Sequence, residues 1–252
     1  MFMRLLQLKV NPDYNEDLAK FYRETVSPKL QTIPGCVFAA LIKSKPEENE
    51  FISLTFWQTQ KHAEDYENSS TFQELLDQAK PYLSDFSEWK IQLSEDMEIN
   101  YFEDLEIPAA KKYVIDVQKE EADKIEVDNN KMFVRIVSIK VQNNKMDEFK
   151  KIYAETIIPA FRETKGCRYA FLTHSKNDNE DFLSITIWDC KEDASNFETS
   201  GSYMTLINKV KHTFSQFYLW KMSLEKQYNS QVKTSDDLTV GNYDIVTGRN
   251  FL

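Results

Sequence analysis

The sequence is poor in the residue types that build metal sites and phosphate-binding loops. It holds only 3 histidines and 3 cysteines in 252 residues, and none of them stands in a His-x-x-x-His or Cys-x-x-Cys pattern. Those spacings are typical of zinc and iron sites, so we expect no metal and no cofactor. A Gly-rich phosphate loop and a Gly-x-Ser-x-Gly turn are missing as well, so two common signals of enzyme chemistry are absent.

Long apolar runs and dense basic runs are also missing. No apolar run approaches the roughly 18 residues of a membrane span, and the first ten residues are too short and too interrupted for a signal peptide. The net charge of −10 works against binding to nucleic acid or to an anionic membrane. We therefore expect neither as a partner, and we expect a cytoplasmic protein with reduced thiols.

What the chain does have is a long internal repeat. Shifted by 131 positions, it matches itself without a gap from about residue 4 to residue 93, so that Trp57 falls on Trp188 and Gly35 on Gly166. A period of this length indicates a duplicated domain, because solenoid units run about 20–50 residues. The predicted parts are a first domain (1–93), an acidic linker with an added strand (94–131), a second domain (132–224) and a tail with an edge strand (225–252).

Each copy carries the same order of elements. A strand is followed by a helix, a hairpin, a helical region and a fourth strand, which is the ferredoxin-like βαββαβ unit. This order predicts an α+β fold with antiparallel sheets. Pro28 and its mate Pro159 lie inside the first helix and are predicted to kink it, because each lacks an N–H. The predicted fourth strands are 87–93 and 218–224, and strand-like stretches at 112–117 and 243–246 add edge strands or clamp one half to the other.

One face of the third strand mixes aromatic and hydroxyl side chains. Phe51, Ser53, Thr55 and Trp57 recur unchanged in the second copy, whereas the apolar residues between them differ. A buried hydroxyl costs about 1–3 kcal/mol without a partner, so this face predicts a polar-lined pocket with aromatic walls in each copy. The alternative is a half-solvated sheet face or a Ser/Thr ladder. The candidate ligand-binding residues are Tyr22, Thr25, Phe51, Thr55, Tyr153, Thr156, Phe182 and Thr186.

A cation on the first strand completes the predicted site. Lys9 lies on the same face of that strand as Gln7, and together with Ser53 it would stabilise a phenolate or a developing oxyanion. Trp57 and Tyr22 would hold an aromatic ring, although the Tyr22 segment also fits a kinked helix whose Thr25 binds a freed carbonyl. His174 is a candidate base in the second copy only, and a surface histidine is the alternative. The candidate catalytic residues are Lys9, Ser53, Trp57, Lys140, Ser184, Trp188 and His174.

These motifs resemble an antibiotic biosynthesis monooxygenase domain. The resemblance is carried by Gly35-Cys36 after the first helix, by the Phe-x-Ser-x-Thr-x-Trp strand, and by Ala63 followed by an aromatic residue and Ser69-Ser70. In that family two units pair sheet to sheet into a dimeric α+β barrel. The resemblance therefore implies an intramolecular barrel, an internal pseudo-dimer, and leaves a further homodimer open.

The resemblance also implies activities. The heme-degrading branch uses a histidine as iron ligand where this chain has Leu76 and Ile207, so heme degradation is disfavoured. The branch that oxidises phenols is similar in having a strand-3 tryptophan, matched by Trp57 and Trp188, with an asparagine where Ser53 and Ser184 stand.

We therefore expect a cofactor-independent, monooxygenase-like protein that acts on a small hydrophobic or aromatic molecule of quinol type. The alternatives are a non-catalytic small-molecule-binding or stress-related protein that keeps the pocket, and a structural or partner-binding barrel.

Overall fold

The computed structural model describes residues 1–45, 49–84, 87–93, 99–105, 110–118, 132–175, 181–215 and 238–250. Eight strands of this part of the chain close into a barrel in the order β1-β3-β2-β10-β7-β9-β8-β6, and the paired neighbours run antiparallel. The strands are β1 Phe2–Lys9, β2 Cys36–Ser44, β3 Glu50–Trp57, β4 Ser87–Leu93, β5 Ile99–Leu105, β6 Ala110–Gln118, β7 Phe133–Lys140, β8 Cys167–Ser175, β9 Asp181–Trp188 and β10 Leu238–Asn250.

The helices fall into two matching sets. In each unit a first helix follows the first strand, and a helix pair follows the hairpin, where Ser69 in the first unit and Gly201 in the second separate the pair. The fold is thus two ferredoxin-like α+β units, as predicted. The helices are α1 Asn15–Phe21, α2 Ser27–Gln31, α3 Gln60–Glu67, α4 Ser70–Ala79, α5 Met146–Ile152, α6 Ile158–Glu163, α7 Lys191–Thr199 and α8 Ser202–Val210.

The predicted fourth strand of the first unit forms with the predicted bounds, but it does not join the sheet of that unit. Residues 87–93 form β4, which pairs with β5 in a separate two-stranded sheet, and the place beside β1 is taken by β6. In the second unit β10 lies beside β7, while residues 218–224 lie outside the described residues. Alternation of side chains predicts that a segment is a strand, but it does not name the strand it pairs with.

The strands β6 and β10 join the two units. The first pairs with β1 and with β8, and the second pairs with β7 and with β2, so both stretches clamp the halves and neither is an edge. Each carries a shift of register, between Ile115 and Val117 and between Ile245 and Thr247. A bulge of this kind bends a strand and increases its twist, which suits the closure of a barrel.

The barrel interior is one hydrophobic core built from both units. Phe38 and Phe56 of the first unit lie there with Phe171 and Ile185 of the second, and the rings of Phe56 and Phe171 are 5.0 Å apart. Each unit contributes one sheet to the wall of the barrel, and the outer face of that sheet is covered by the helices. None of the helices in the described ranges is long and apolar enough to span a membrane.

Candidate functional site

A π turn in the first helix directs Tyr22 towards the sheet. Between α1 and α2 the chain forms a π turn, Tyr22–Val26, in which the Ser27 N–H donates to the carbonyl of Tyr22, and Pro28 follows. The second unit repeats this turn at Tyr153–Ile157. The proline kink predicted from the sequence is thus a local widening of a continuous helix. Such π turns are frequent at functional sites.

Two buried hydrogen bonds account for the polar face of β3. The hydroxyls of Tyr22 and Ser53 lie 2.9 Å apart, and the indole N–H of Trp57 donates to Thr55 Oγ1 over 2.9 Å. The mates of these four residues make the same two bonds over 2.7 and 2.8 Å. The polar groups of this face are therefore buried and hydrogen-bonded within the unit. These hydrogen bonds give a structural reason why the same residues occur in both copies.

A cavity of about 50 Å³ lies between the outer face of the first sheet and the helices of the first unit. Most of its wall is aliphatic or aromatic, and the polar groups that reach it come from Arg4, Tyr22, Ser53, Thr55 and Tyr66. An apolar cavity with a few placed polar groups is the usual composition of a small-molecule site. The remaining wall is formed by Leu6, Leu8, Leu18, Phe21, Val26, Leu30, Phe72, Leu75, Leu76 and Ala79.

Arg4 is the cation of this cavity. Its side chain is only 2% exposed, and its Nε lies 3.9 Å from Glu67 Oε2. Nε and Nη2 of Arg4 are buried without a hydrogen-bond acceptor, while the guanidinium carbon lies 4.6 Å from the centre of the Phe72 ring. Burial lowers the pKa of Arg4 and the nearby Glu67 acts in the opposite direction, but a guanidinium stays charged in proteins.

The two tyrosines of the cavity are held in their neutral form. Burial raises the pKa of Tyr22 well above its ordinary value, and the hydrogen bond with Ser53 only partly offsets this. Burial also raises the pKa of Tyr66 to about 12, against an opposing effect of Arg4. Both hydroxyls therefore act as hydrogen-bond partners at neutral pH and not as bases.

Lys9 lies outside the cavity, contrary to the prediction. In the pairing of β1 with β3, Lys9 stands opposite Glu50, whereas Leu6 stands opposite Ser53 and Arg4 opposite Thr55. Directly opposed residues share a face of the sheet, so the sequence interpretation joined the wrong face of β1 to the polar face of β3. Lys9 is exposed, as is Gln7. The signal that could have identified Arg4 is an arginine within an apolar strand, repeated as Arg135.

Three further candidates of the first unit are near the cavity but do not line it. Trp57 is fully buried behind the wall, where its ring stacks on Tyr66 at 5.2 Å. Phe51 is buried in a cluster with Leu8, and Thr25 is half-buried on the π turn. The structure thus brings Tyr22, Ser53 and Thr55 together at the cavity and leaves these three outside the lining.

The candidates of the second unit occupy a packed core or its surface. Tyr153, Ser184, Thr186 and Trp188 are tied into the two hydrogen bonds described above, and Phe182 packs edge-on against Phe149 at 5.2 Å. Thr156 is half-buried on the second π turn. Lys140 lies 3.8 Å from Asp181, and the half-buried ring of His174 lies 6.2 Å from that of Phe182.

The equivalent regions of the two units are packed differently. Buried apolar residues of the second unit form one continuous cluster between sheet and helices. Those of the first unit form two clusters, and the cavity wall takes residues from both. Larger side chains make the difference: Phe149 replaces Leu18, Phe161 replaces Leu30, Ile157 replaces Val26 and Val210 replaces Ala79.

The cavity wall holds no histidine, cysteine, aspartate or glutamate. Leu76 lines it at the position where the heme-degrading resemblance calls for a histidine ligand. In the described part of the chain, no three such side chains are grouped closely enough to hold a metal ion. The cavity therefore offers neither an imidazole nor a thiolate to iron.

Comparison with known proteins identifies the repeated unit. The sequence model described as antibiotic biosynthesis monooxygenase matches residues 1–78 and again residues 132–208, which is more than half of the chain. The two matches confirm the tandem duplication. No curated protein matches the chain.

Solved structures share the complete two-unit fold. A candidate monooxygenase from Fusobacterium nucleatum is similar over 99% of this chain and 94% of its own, with a TM-score of 0.68 and 9% identity. One from Lactobacillus acidophilus covers 99% and 96%, with a TM-score of 0.61 and 7% identity. An anthrone oxidase-like protein covers 99% and 93%, with a TM-score of 0.59 and 9% identity. Identities this low show a shared fold alone.

Proposed function

The chain belongs to the antibiotic biosynthesis monooxygenase family, and on that premise we propose that it is a monooxygenase-like protein that binds a small phenol- or quinol-type molecule in the cavity of its first unit. The observation that carries the proposal is the cavity itself. Its wall is mostly apolar, and Arg4, Tyr22, Ser53 and Thr55 are among its polar members. An apolar wall suits an aromatic ring, and the polar side chains suit a phenolic oxygen.

The proposed reaction needs no resident cofactor because the substrate supplies the electrons. In a substrate whose ring CH₂ group is flanked by phenols, loss of a proton gives an anion that can reduce dioxygen. The CH₂ group becomes C=O, one oxygen atom enters the product, and the other leaves as water with the two hydrogens. In this proposal Arg4 stabilises the anion, and Tyr22 and Thr55 orient it, as preorganised donors do at sites where negative charge develops.

Isotope incorporation tests the proposed activity. Phenols and quinols of one to three rings are supplied with ¹⁸O₂, and the products are analysed by mass spectrometry. We expect one labelled oxygen atom in the product and the other in water, at a rate above that of the reaction without protein. The variant Arg4→Met is expected to slow the reaction, while Arg135→Met is expected to leave it unchanged because Arg135 belongs to the packed unit.

A non-catalytic small-molecule-binding protein is the second candidate. It is favoured by one observation: no side chain of the cavity wall is ready to accept a proton at neutral pH, because the wall holds no carboxylate or imidazole and burial raises the pKa of Tyr22 and the pKa of Tyr66. Thermal stabilisation by a ligand that gives no labelled product would support this candidate over the first.

We also place the protein in the cytoplasm. The support for this is that all three cysteines are free thiols, two of them buried, as is usual in a reducing compartment. The support for an internal pseudo-dimer is the barrel, which both units complete within one chain.

A further inference from the structure

We propose that, of the two equivalent regions between sheet and helices in the described residues, only the first-unit cavity binds a ligand, and that it selects molecules bearing an ionised oxygen acid, a carboxylate or a phenolate, which binds Arg4. This inference rests on the site proposed above. It adds the charge of the ligand, the residue that binds the charged group, and the number of sites in each chain. The two units of one molecule provide the comparison, since each position of the first has a mate in the second.

The arginine of β1 differs between the units in its ion pair. Arg135 Nε donates to Glu198 Oε1 over 2.6 Å, whereas Arg4 Nε lies 3.9 Å from Glu67 Oε2. Both guanidinium groups lie over the mate aromatic ring at the same distance, 4.6 Å. The cation is therefore held in the same place in both units, and only in the first are its donors left open.

Open donors on a buried arginine point to a missing acceptor. A buried polar group without a partner costs free energy, and nearly all such groups in native proteins have one. Nε and Nη2 of Arg4 meet this description, and Arg4 is part of the cavity wall. Water can occupy the free cavity, but an anionic oxygen makes shorter and stronger bonds to a guanidinium, and a carboxylate can receive two of them.

The charge balance of the wall favours an anion. Arg4 is its one cation, it contains no carboxylate, and its remaining polar groups are hydroxyls. Glu67, which is 26% exposed, faces Arg4 at 3.9 Å and is the carboxylate that an incoming anion would replace as the partner of Arg4. The hydroxyl of Tyr22, held by Ser53, can donate to the same oxygen.

The second unit differs from the first both at its arginine and in the space between sheet and helices. Its arginine is already paired, and Phe149, Phe161 and Val210 fill the region between sheet and helices. These residues stand at the positions of Leu18, Leu30 and Ala79, which line the cavity of the first unit. The second unit therefore completes the barrel and stabilises it without binding a ligand.

A matched pair of probes tests the charge preference. Isothermal titration compares 2-naphthoate with its neutral isostere 2-naphthamide on the full chain. We expect the acid to bind about tenfold or more tightly, with one site per chain, since hydrogen bonds between charged groups are roughly twice as strong as those between neutral groups. Arg4→Met is expected to remove the preference and Arg135→Met to keep it. Equal binding of acid and amide, a preference that survives in Arg4→Met, or no binding of the acid would overturn the proposal.

A phenol probe separates the two sources of the anion. The absorbance of 4-nitrophenol reports its ionisation directly. If phenolates are also ligands, the pKa of the bound probe falls by about 1 or more beside the guanidinium, and this change disappears in Arg4→Met. A lowered pKa supports phenolates as well as carboxylates. An unchanged pKa with tight binding of 4-nitrophenol would contradict the role given to Arg4.

Exchanging residues between the units tests the single site. Leu18→Phe installs the residue of the second unit and is expected to abolish 2-naphthoate binding while the melting temperature is kept. Phe149→Leu is the control, expected to lower the melting temperature and leave binding unchanged. Undiminished binding in a folded Leu18→Phe, or a second site per chain, would refute the assignment. Because these readouts are binding constants, loss of labelled oxygen alone would count against the proposed reaction and not against this inference.

Discussion

Arg4 and Arg135 illustrate what duplication does at the scale of single residues. Both are buried and both face an aromatic ring, but Arg135 is hydrogen-bonded to its glutamate, whereas two nitrogens of Arg4 have no hydrogen-bond acceptor. Many positions that are identical in the two copies support the fold, such as the bond from Trp57 to Thr55. The polar residues of the cavity are identical as well, and the cavity itself depends on positions that differ, where the first unit has the smaller side chain.

The tyrosine hydroxyls give a stability prediction at this scale. Tyr153→Phe leaves Ser184 without its partner in a packed core, which we expect to cost about 1–3 kcal/mol. Tyr22→Phe makes the same change beside a cavity, where water can pair with Ser53, so we expect a smaller loss, about 1 kcal/mol or less. Urea unfolding of the two variants measures the difference. An equal or reversed order would contradict the packing assigned to the second unit.

Tyr66 gives a prediction about alkaline pH. Its pKa is raised from 10.0 to about 12 by burial, so the folded state holds this proton more tightly than the unfolded state does. The stabilisation is complete below pH 10.0 and is lost as the pH rises from 10.0 towards 12. Tyr66→Phe is expected to lose less stability than the wild type between pH 8 and about 11. Phe197 at the mate position shows that phenylalanine suits this site.

Urea unfolding at the two pH values provides this comparison. The variant Tyr66→Phe is compared with the wild type in each buffer, so that the titration of other groups cancels. Parallel losses in the two proteins would show that the hydroxyl of Tyr66 is not desolvated in the folded state.

At the scale of elements, two glycines with nearly the same φ angle have different surroundings. Gly35 ends the first helical region with φ 77°, and a Cβ built on it would lie 1.9 Å from Nδ1 of His62. Gly201 precedes α8 and has a φ of 79°, and a Cβ built on it would meet nothing within 4 Å. Both changes to alanine carry the left-handed penalty, roughly 1–2 kcal/mol, but Gly35→Ala must also displace the ring.

We therefore expect Gly35→Ala to be the more destabilising of the two variants. The double variant Gly35→Ala/His62→Ala should bring the loss relative to His62→Ala close to that of Gly201→Ala, since the displaced ring is gone. Thermal unfolding of these variants provides the measurement. Equal losses for the two single variants would mean that the close approach of His62 does not constrain this turn.

The elements also show how far a sequence can be interpreted. Periodicity predicted the first three strands, the paired helices and the strand-like stretches at 112–117 and 243–246. It could not predict that β6, and not 87–93, would lie beside β1, or that β10 would lie beside β7, because pairing is decided by contacts between distant segments. For the site, repetition pointed to Tyr22 and Ser53. The error at Lys9 came from the register of β1 against β3, which the alternation in either strand alone does not contain.

At the scale of the whole molecule, the barrel makes the two units interdependent. Their inner faces share one core, in which Phe171 of the second unit packs against Phe56 of the first. Removing a core aromatic ring costs about 3–5 kcal/mol. We expect the wild type to unfold in one transition, and Phe171→Ala to move that transition as a whole.

Calorimetry and tryptophan fluorescence together test this cooperativity. The buried Trp57 lies in the first unit and the buried Trp188 in the second, so fluorescence and calorimetry should give one and the same transition temperature in each protein. A Phe171→Ala transition that splits into two steps would show that the units fold independently in spite of their shared core.

The central claim concerns the molecule as a whole: one duplicated chain keeps one ligand site. A crystal structure of the chain with 2-naphthoate tests it most directly. We predict one molecule in the first unit, with its carboxylate on the open donors of Arg4, its ring against the apolar wall, and Arg135 still paired with Glu198. A ligand bound between the sheet and helices of the second unit, or one whose carboxylate makes no contact with Arg4, would contradict the account.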